Sequence, residues 1–130
     1  MTSSTKMEPS VDNIIVQKTF DFAVRSINLY KHLCYKSSNK EFIISKQLVR
    51  SGTSIGANIE EAIGGQSTAD FISKLSIAYK EARESRYWIK LLYKTNYITE
   101  TEYKSLTADL DDIINIIAKI KLTTQKNNNL

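Results

Sequence analysis

The sequence is poor in residues that interrupt helices and in residues that carry redox chemistry. Its 130 residues include one proline and four glycines, which favours long helices over a fold of short strands and turns. The single cysteine, Cys34, excludes an intramolecular disulfide and is typical of a reducing compartment. No apolar run approaches transmembrane length, and the segment MTSSTKMEPS lacks the apolar core of a signal peptide. We therefore expect a cytoplasmic protein with no membrane partner.

The sequence patterns of enzymes and metal sites are also missing. The one histidine, His32, has no cysteine or carboxylate at metal-ligand spacing, and the Glu-x-x-His pairs of di-iron bundles do not occur. Neither a P-loop nor a glycine-rich dinucleotide turn is present. Glu60 and Glu61 are adjacent, so on a helix they point about 100° apart and cannot act together on one substrate. We expect no enzymatic activity, no cofactor and no metal.

The composition is that of one globular domain. The chain is long enough to bury a core, and 42% hydrophobic with 25% charged residues is ordinary for a folded protein. A net charge of +4 permits binding to nucleic acid without establishing it. We predict a folded unit over residues 10–122, with disordered polar segments at residues 1–9 and 123–130.

Apolar residues at helical spacing predict four helices joined by short connections. The helices are expected over about residues 11–36, 46–63, 68–96 and 100–122. Residues suited to capping helix starts are Ser10, Ser45, Ser67 with Asp70, and Thr99 with Glu102. Gly64 and Gly65 suit a left-handed end of the second helix. Short connections favour antiparallel neighbours, so the predicted fold class is all-α, an up-down-up-down four-helix bundle.

The first helix carries two apolar stripes. The main stripe consists of Val16, Phe20, Ala23, Ile27, Tyr30 and Cys34. The second stripe, about 100° around the helix, consists of Ile15, Phe22, Leu29 and Leu33. Because a bundle core needs only one stripe, the second is either part of a wide buried face or a contact between subunits. We favour the contact and therefore a homo-oligomer.

The third helix carries a basic face, which we call the basic arc. Its cations lie within about 120° of the helix circumference and are Lys80, Arg83, Arg86, Lys90 and Lys94. Tyr79 and Tyr87 are interleaved with them. Phosphate binding needs several cations on one surface, so the basic arc is a candidate RNA- or DNA-binding site. The alternative is a solvated or intersubunit face, partly neutralised by the acidic residues Asp109, Asp111 and Asp112 of the fourth helix.

A second candidate surface lies on the second helix. Its polar side chains Gln47, Arg50, Ser54, Asn58 and Glu61 fall on one face, opposite an apolar face with Gly52 and Gly56 nearby. Two glycines within a helix suggest a close approach of another backbone. The face is either the solvated side of an amphipathic helix or a contact with another subunit or protein. For the contact, the candidate residues are Arg50, Ser54, Asn58 and Glu61, together with Trp88 of the third helix, which lies off the core line.

These segments carry a resemblance to a known family. The stretch QLVRSGTSIGANIEEAIGG, followed by STADFISKLSIAYKEARESRYWIKLL, resembles the bacterial four-helix-bundle proteins related to those encoded in 23S rRNA intervening sequences. It is similar, more distantly, to the accessory proteins of diversity-generating retroelements. Residues that match the family pattern are Gln47, Leu48, Arg50, Ser54, Ile55, Ala57, Asn58, Ile59, Glu61 and Glu84. Departures from it are Val49, Gly56 and Ala62, which replace an Arg, a Pro and a Gly.

The resemblance, over roughly residues 12–120, implies an assembly and a class of partner. It implies a four-helix protomer in a ring-like homopentamer without catalytic activity. In the retroelement relatives a positively charged ring binds nucleic acid and a reverse transcriptase, and for the intervening-sequence relatives RNA binding is the expectation. The leading hypothesis is therefore an oligomer that binds RNA or DNA, and the competing one is an oligomeric scaffold for a protein partner.

Overall fold

The computed structural model describes residues 11–128, which form four helices and, within that range, no strand. The first helix, α1, spans Val11–Lys31 and continues into a π-helical turn at His32–Lys36. The others are α2 at Ile44–Ile63, α3 at Thr68–Lys94 and α4 at Glu100–Asn127. The all-α prediction and the number of helices are confirmed. No helix of this range is both long and apolar enough to cross a membrane.

Helices that pack side by side run antiparallel to each other. Between α2 and α3, Ser51 lies opposite Ser85 while Glu61 lies opposite Lys74, so the sequence numbers rise on one helix as they fall on the other. Two other pairs of helices show the same order. Between α3 and α4 the contacts are Arg86–Asp111 and Tyr93–Tyr103, and between α1 and α4 they are Lys18–Asp112 and Arg25–Asp109. Each helix packs against the next and α4 returns to α1, which makes an up-down-up-down bundle with α1 and α3 at opposite corners.

The second stripe of α1 faces the core, so it belongs to the buried face and is not the subunit contact that we favoured; of the main stripe, Cys34 is buried as well. Ile15, Phe22 and Leu33 of the second stripe are buried, whereas Phe20 and Ile27 of the main stripe are 63% and 39% exposed. The reason lies in two small polar residues, Thr19 and Ser26, that complete the buried face. Their hydroxyls donate to backbone carbonyl oxygens one turn earlier, Thr19 at 2.8 Å and Ser26 at 2.9 Å, so burying them leaves no donor unpaired. The apolar pattern therefore identified this stripe but not the two polar residues that complete its buried face.

The predicted close approach at the glycines of α2 is made by α1. A Cβ built on Gly52 would lie 3.0 Å from the Cβ of Ser26 and 3.3 Å from a ring carbon of Phe22. A Cβ built on Gly56 would lie 3.4 Å from the nearest atoms of Thr19. Gly52 therefore sits at the tightest point of the crossing, and Gly56 sits where ordinary contact is still possible.

The start of α2 is capped differently from the prediction. Ser45 is not the cap, because α2 already begins at Ile44. The carboxylate of Glu41 instead accepts hydrogen bonds from the backbone N–H groups of Ile43, Ile44 and Ser45 at 2.9, 2.8 and 2.7 Å. A carboxylate can accept several N–H groups and interacts favourably with the helix dipole, which a serine hydroxyl does less well. Glu41 is only 7% exposed, so this cap is part of the packed structure.

The other helix boundaries largely follow the sequence signals. Ser67 accepts from the N–H of Asp70 at 3.0 Å, and Thr99 with Glu102 forms the full capping box. The second helix ends at Ile63 as expected, but Gly64 has a φ of −82° rather than a left-handed conformation. The left-handed residue is Asn96, with φ 69°, which ends α3 two residues after Lys94. There the N–H groups of residues 96 and 97 bond back to the carbonyls of residues 93 and 92, a Schellman motif.

The fourth helix is longer than predicted. It continues to Asn127, so residues 123–127 are helical rather than a disordered tail. Thr124 and Gln125 are half-buried, and Thr124 lines a groove with Ala62 and Phe71, so tertiary contacts hold this polar end. The predictions for Ser10 and for residues 1–9 and 129–130 lie outside the described residues.

Candidate nucleic-acid interface

The basic arc lies on the outer face of α3, on the side next to α4. The apolar line of α3 expected to face the core runs from Phe71 to Tyr93. Its two end residues are half-buried, and the buried ones are Leu75, Ala78, Ala82, Ile89 and Leu92. The cations therefore point away from the core, and Lys80, Arg83, Lys90 and Lys94 are exposed. Arg86 is half-buried, with its Nη1 3.4 Å from Asp111 Oδ1. Within the described residues, the four exposed cations have no carboxylate within 4.0 Å.

The acidic residues of α4 neutralise the basic arc less than their number suggested. Asp109 pairs with Arg25 of α1 at 2.6 Å, and Asp112 lies 3.5 Å from Lys18 of α1. Asp111 alone of the three pairs with a cation of the basic arc. The rotation of α4 thus directs two of its aspartates toward the opposite side of the bundle. The unpaired cations extend from Lys80 to Lys94, about 21 Å along the helix at 1.5 Å per residue.

The structure adds a cation that the sequence did not indicate. The Nζ of Lys121, on α4, lies 6.0 Å from the ring centroid of Tyr79, and the guanidinium carbon of Arg83 lies 5.9 Å from the same centroid. Both distances are in the range of cation–π contacts. Lys121 joins the basic arc only because α3 and α4 pack together. The spacing of residues in α3 alone cannot predict that a lysine of α4 lies beside its basic face.

The exposed ring on the basic arc is that of Tyr87, which is 57% exposed. It meets the Trp88 ring in an edge-type contact, with centroids 5.1 Å apart and planes at 68°. The indole N–H of Trp88 donates to Glu84 at 2.9 Å, and Glu84 in turn pairs with Arg50 of α2. Arg50 also reaches Glu81, at 3.5 Å. This chain of contacts connects the polar face of α2 with the aromatic residues of α3.

The residues predicted to contact another subunit bond to groups of their own protomer. Arg50 and Trp88 meet at Glu84, and Glu61 pairs with Lys74 at 2.8 Å. That hydrogen bond and the charge of Glu61 raise the pKa of Lys74. Ser54 and Asn58 bond to backbone carbonyls of their own helix, at 2.8 and 2.9 Å. A subunit contact through this face stays a prediction. Glu84, the shared partner, was indicated by the family resemblance and by no periodicity.

The exposed apolar side chains of α1 form a separate surface. Phe20, Val24 and Ile27 are exposed along about two turns of the helix. Beside Phe20, a groove of about 150 Å³ runs between α1 and α2, with Gly56 and Ala57 on its α2 side. Across residues 13–128, no group of three or more His, Cys, Asp or Glu side chains could hold a metal ion.

The bundle and its surfaces define a class: an all-α four-helix protein with one cationic outer face and one apolar outer face. The model of the 23S rRNA-intervening sequence protein family matches residues 11–119, and the chain belongs to that family.

One solved structure agrees in fold and in sequence. It is a crystal structure of a protein of unknown function of the S23 ribosomal protein family, from Bacteroides thetaiotaomicron VPI-5482. The two sequences are 51% identical, the alignment covers 86% of this chain and 98% of the other, and the TM-score is 0.83. Comparison with curated proteins gives no match.

Proposed function

We propose that this protein is a non-enzymatic, cytoplasmic, self-associating protein that binds RNA or DNA through the basic arc. One observation carries the proposal: four exposed cations on one helix face have no carboxylate partner among the described residues. Cations that protein carboxylates leave unpaired on a common surface are available to phosphates. The name of the family, 23S rRNA-intervening sequence protein, supports a connection with ribosomal RNA genes.

The arrangement makes the salt dependence of binding calculable. If Lys80, Arg83, Lys90 and Lys94 each neutralise one phosphate, the logarithm of the binding constant falls with the logarithm of salt concentration. The expected slope is about −3 for single strands and about −3.6 for duplex DNA. These slopes refer to one protomer, and a multivalent oligomer would be steeper.

The test replaces the four exposed cations of the basic arc by glutamine and measures binding of a labelled mixed-sequence RNA by fluorescence anisotropy. The matched control replaces four exposed lysines elsewhere, Lys31, Lys36, Lys46 and Lys119, and so removes the same total charge. We expect the basic-arc variant to lose affinity at least tenfold more than the control and to lose most of its salt slope. Equal effects of the two variants, or no binding by the wild type at low salt, would show the proposal to be wrong.

A second candidate function is a scaffold for a protein partner, in which the protein self-associates without binding nucleic acid. The exposed apolar residues Phe20, Val24 and Ile27 support the self-association that both candidates share, because exposed apolar patches mark protein contacts. The family resemblance supports a ring-like homopentamer. Light scattering with and without RNA separates the candidates. A closed oligomer that gains mass with RNA at low salt supports nucleic-acid binding, and one indifferent to RNA supports the scaffold.

A further inference from the structure

We propose that Tyr87 is a stacking platform for an unpaired base, so that the ligand of the basic arc is single-stranded RNA or DNA. This inference rests on the proposed function. Its first support is position: Tyr87 lies four residues after Arg83 and three before Lys90, spacings that make side chains neighbours on a helix surface. An exposed ring therefore stands among exposed cations on one face.

The second support is the availability of the ring. Among residues 13–128, Tyr87 makes one aromatic ring contact, the edge-type contact with Trp88, and one such contact can cover no more than one face of the ring. The other tyrosines near the basic arc differ. Tyr79 has two cations near its ring, and Tyr93 stacks on Tyr103 with centroids 4.4 Å apart and planes at 11°. Of the tyrosines on this face, Tyr87 is the one with an open face toward solvent.

The third support is the way the ring is held. Trp88 is half-buried, its indole N–H is fixed by Glu84, and Glu84 is paired with Arg50 on the neighbouring helix. The residue against which Tyr87 rests is therefore anchored to two helices. A ring that is already oriented loses less side-chain entropy when a base stacks on it. This arrangement gives the Arg50–Glu84 pair a role in binding in addition to holding α2 against α3.

These features discriminate between kinds of nucleic acid. A base inside a duplex is stacked on both sides, so an aromatic ring on a protein surface can reach only an unpaired base. The cations of the basic arc can contact phosphates of single and double strands alike. If Tyr87 contributes by stacking, its contribution appears with single strands and is absent with duplexes of the same sequence.

The test compares three variants against a labelled single-stranded RNA and the corresponding duplex, by anisotropy at fixed salt. Tyr87→Leu removes the ring and Tyr87→Phe keeps it. Tyr35→Leu is the control, because Tyr35 lies outside the basic arc, in the π-helical turn that follows α1, and is 71% exposed. We expect Tyr87→Leu to weaken single-strand binding about 10-fold, with an unchanged salt slope and unchanged duplex binding. We expect Tyr87→Phe and Tyr35→Leu to stay within about twofold of the wild type.

Trp88 provides an independent readout. It is the only tryptophan of the chain and its ring contacts that of Tyr87. Single-stranded RNA should change its fluorescence in the wild type and in Tyr87→Phe, and much less in Tyr87→Leu. Circular dichroism and melting of each variant establish that the fold is intact.

The possible failures are distinguishable. If Tyr87→Leu binds single strands as the wild type does while the basic-arc variant does not, stacking is wrong and the proposed function stands. If Tyr87→Leu weakens single-strand and duplex binding equally, the effect is not base stacking and the inference is likewise wrong. If the wild type binds neither ligand at low salt, the proposed function and this inference both fail.

Discussion

Gly52 gives the most direct test of how α1 and α2 pack. The Gly52→Ala variant adds one methyl group where the two helices cross, 3.0 Å from the Cβ of Ser26, closer still to its hydroxyl, and 3.3 Å from a ring carbon of Phe22. Both neighbours are buried, and the Ser26 hydroxyl is held by its bond to the Phe22 carbonyl oxygen. Neither side chain can give way without a shift of α1.

Two opposing effects set the size of the change. Alanine favours a helix over glycine by about 1 kcal/mol. Overpacking a close-packed core costs about 1–3 kcal/mol, and the upper end applies because both neighbours belong to a buried helix face. We therefore expect Gly52→Ala to lower the free energy of unfolding by about 2 kcal/mol, and the melting temperature by about 6–8 °C for a domain of this size.

Gly56→Ala is the matched control, since it lies one turn further along α2. Its methyl group would meet the nearest atoms of Thr19 at 3.4 Å, an ordinary contact. We expect the free energy of unfolding to stay unchanged or to rise by up to about 1 kcal/mol, because only the helix propensity improves. Urea denaturation followed by circular dichroism measures both variants, at one protein concentration because any self-association would shift the apparent stability. If the two variants had the same free energy of unfolding, the tight crossing at Gly52 would be refuted.

Three further changes test other parts of the structure. Glu41→Gln should lower the free energy of unfolding by about 1–2 kcal/mol in urea denaturation, because three backbone N–H groups lose a charged acceptor. Asn58→Ala should reduce the oligomer mass in light scattering if the polar face of α2 contacts another subunit, and an unchanged mass would count against that contact. The Lys74–Glu61 pair should stabilise the protein at neutral pH and lose its effect as the pH rises through the raised pKa of Lys74, above the ordinary 10.5. The stability difference between wild type and Lys74→Met should accordingly shrink at high pH, and a constant difference would contradict the linkage.

Sequence signals predicted the features of the fold that depend on neighbouring residues. The capping box of α4 was visible because Thr99 and Glu102 stand three residues apart, and the four helices were visible because apolar residues repeat at helical spacing. The sequence did not decide which stripe of α1 faces the core, since Thr19 and Ser26 are polar residue types yet satisfy their hydroxyls within their own helix. The cap at Glu41 was missed because a capping residue is usually a Ser, Thr, Asp or Asn next to the helix, whereas Glu41 accepts from N–H groups two to four residues ahead of it.

The candidate site also has a part that the sequence predicted and a part that it did not. Helical geometry placed the five cations of the basic arc on one face, and the structure keeps them there. The contribution of Lys121, and the pairing of Arg50 with Glu84, depend on how far each helix is rotated against its neighbour. The spacing of residues within one helix does not determine that rotation. The sequence therefore indicated the close approach at Gly52, but not which side chains of neighbouring helices meet.

The positions of the two candidate surfaces bear on whether assembly and binding can coexist. The exposed apolar residues Phe20 and Ile27 lie on α1, and the basic arc lies on α3. Because α1 and α3 occupy opposite corners of the bundle, each packing against α2 and α4, their outer faces point in different directions. A contact that buries only the outer face of α1 would leave the cations of α3 accessible on each subunit, and the oligomer would then present more than one such face to one strand. A Phe20→Ser variant that dissociates should then bind RNA more weakly and with a smaller salt slope, although no phosphate contact has been removed. Dissociation without any loss of affinity would mean that each subunit binds alone.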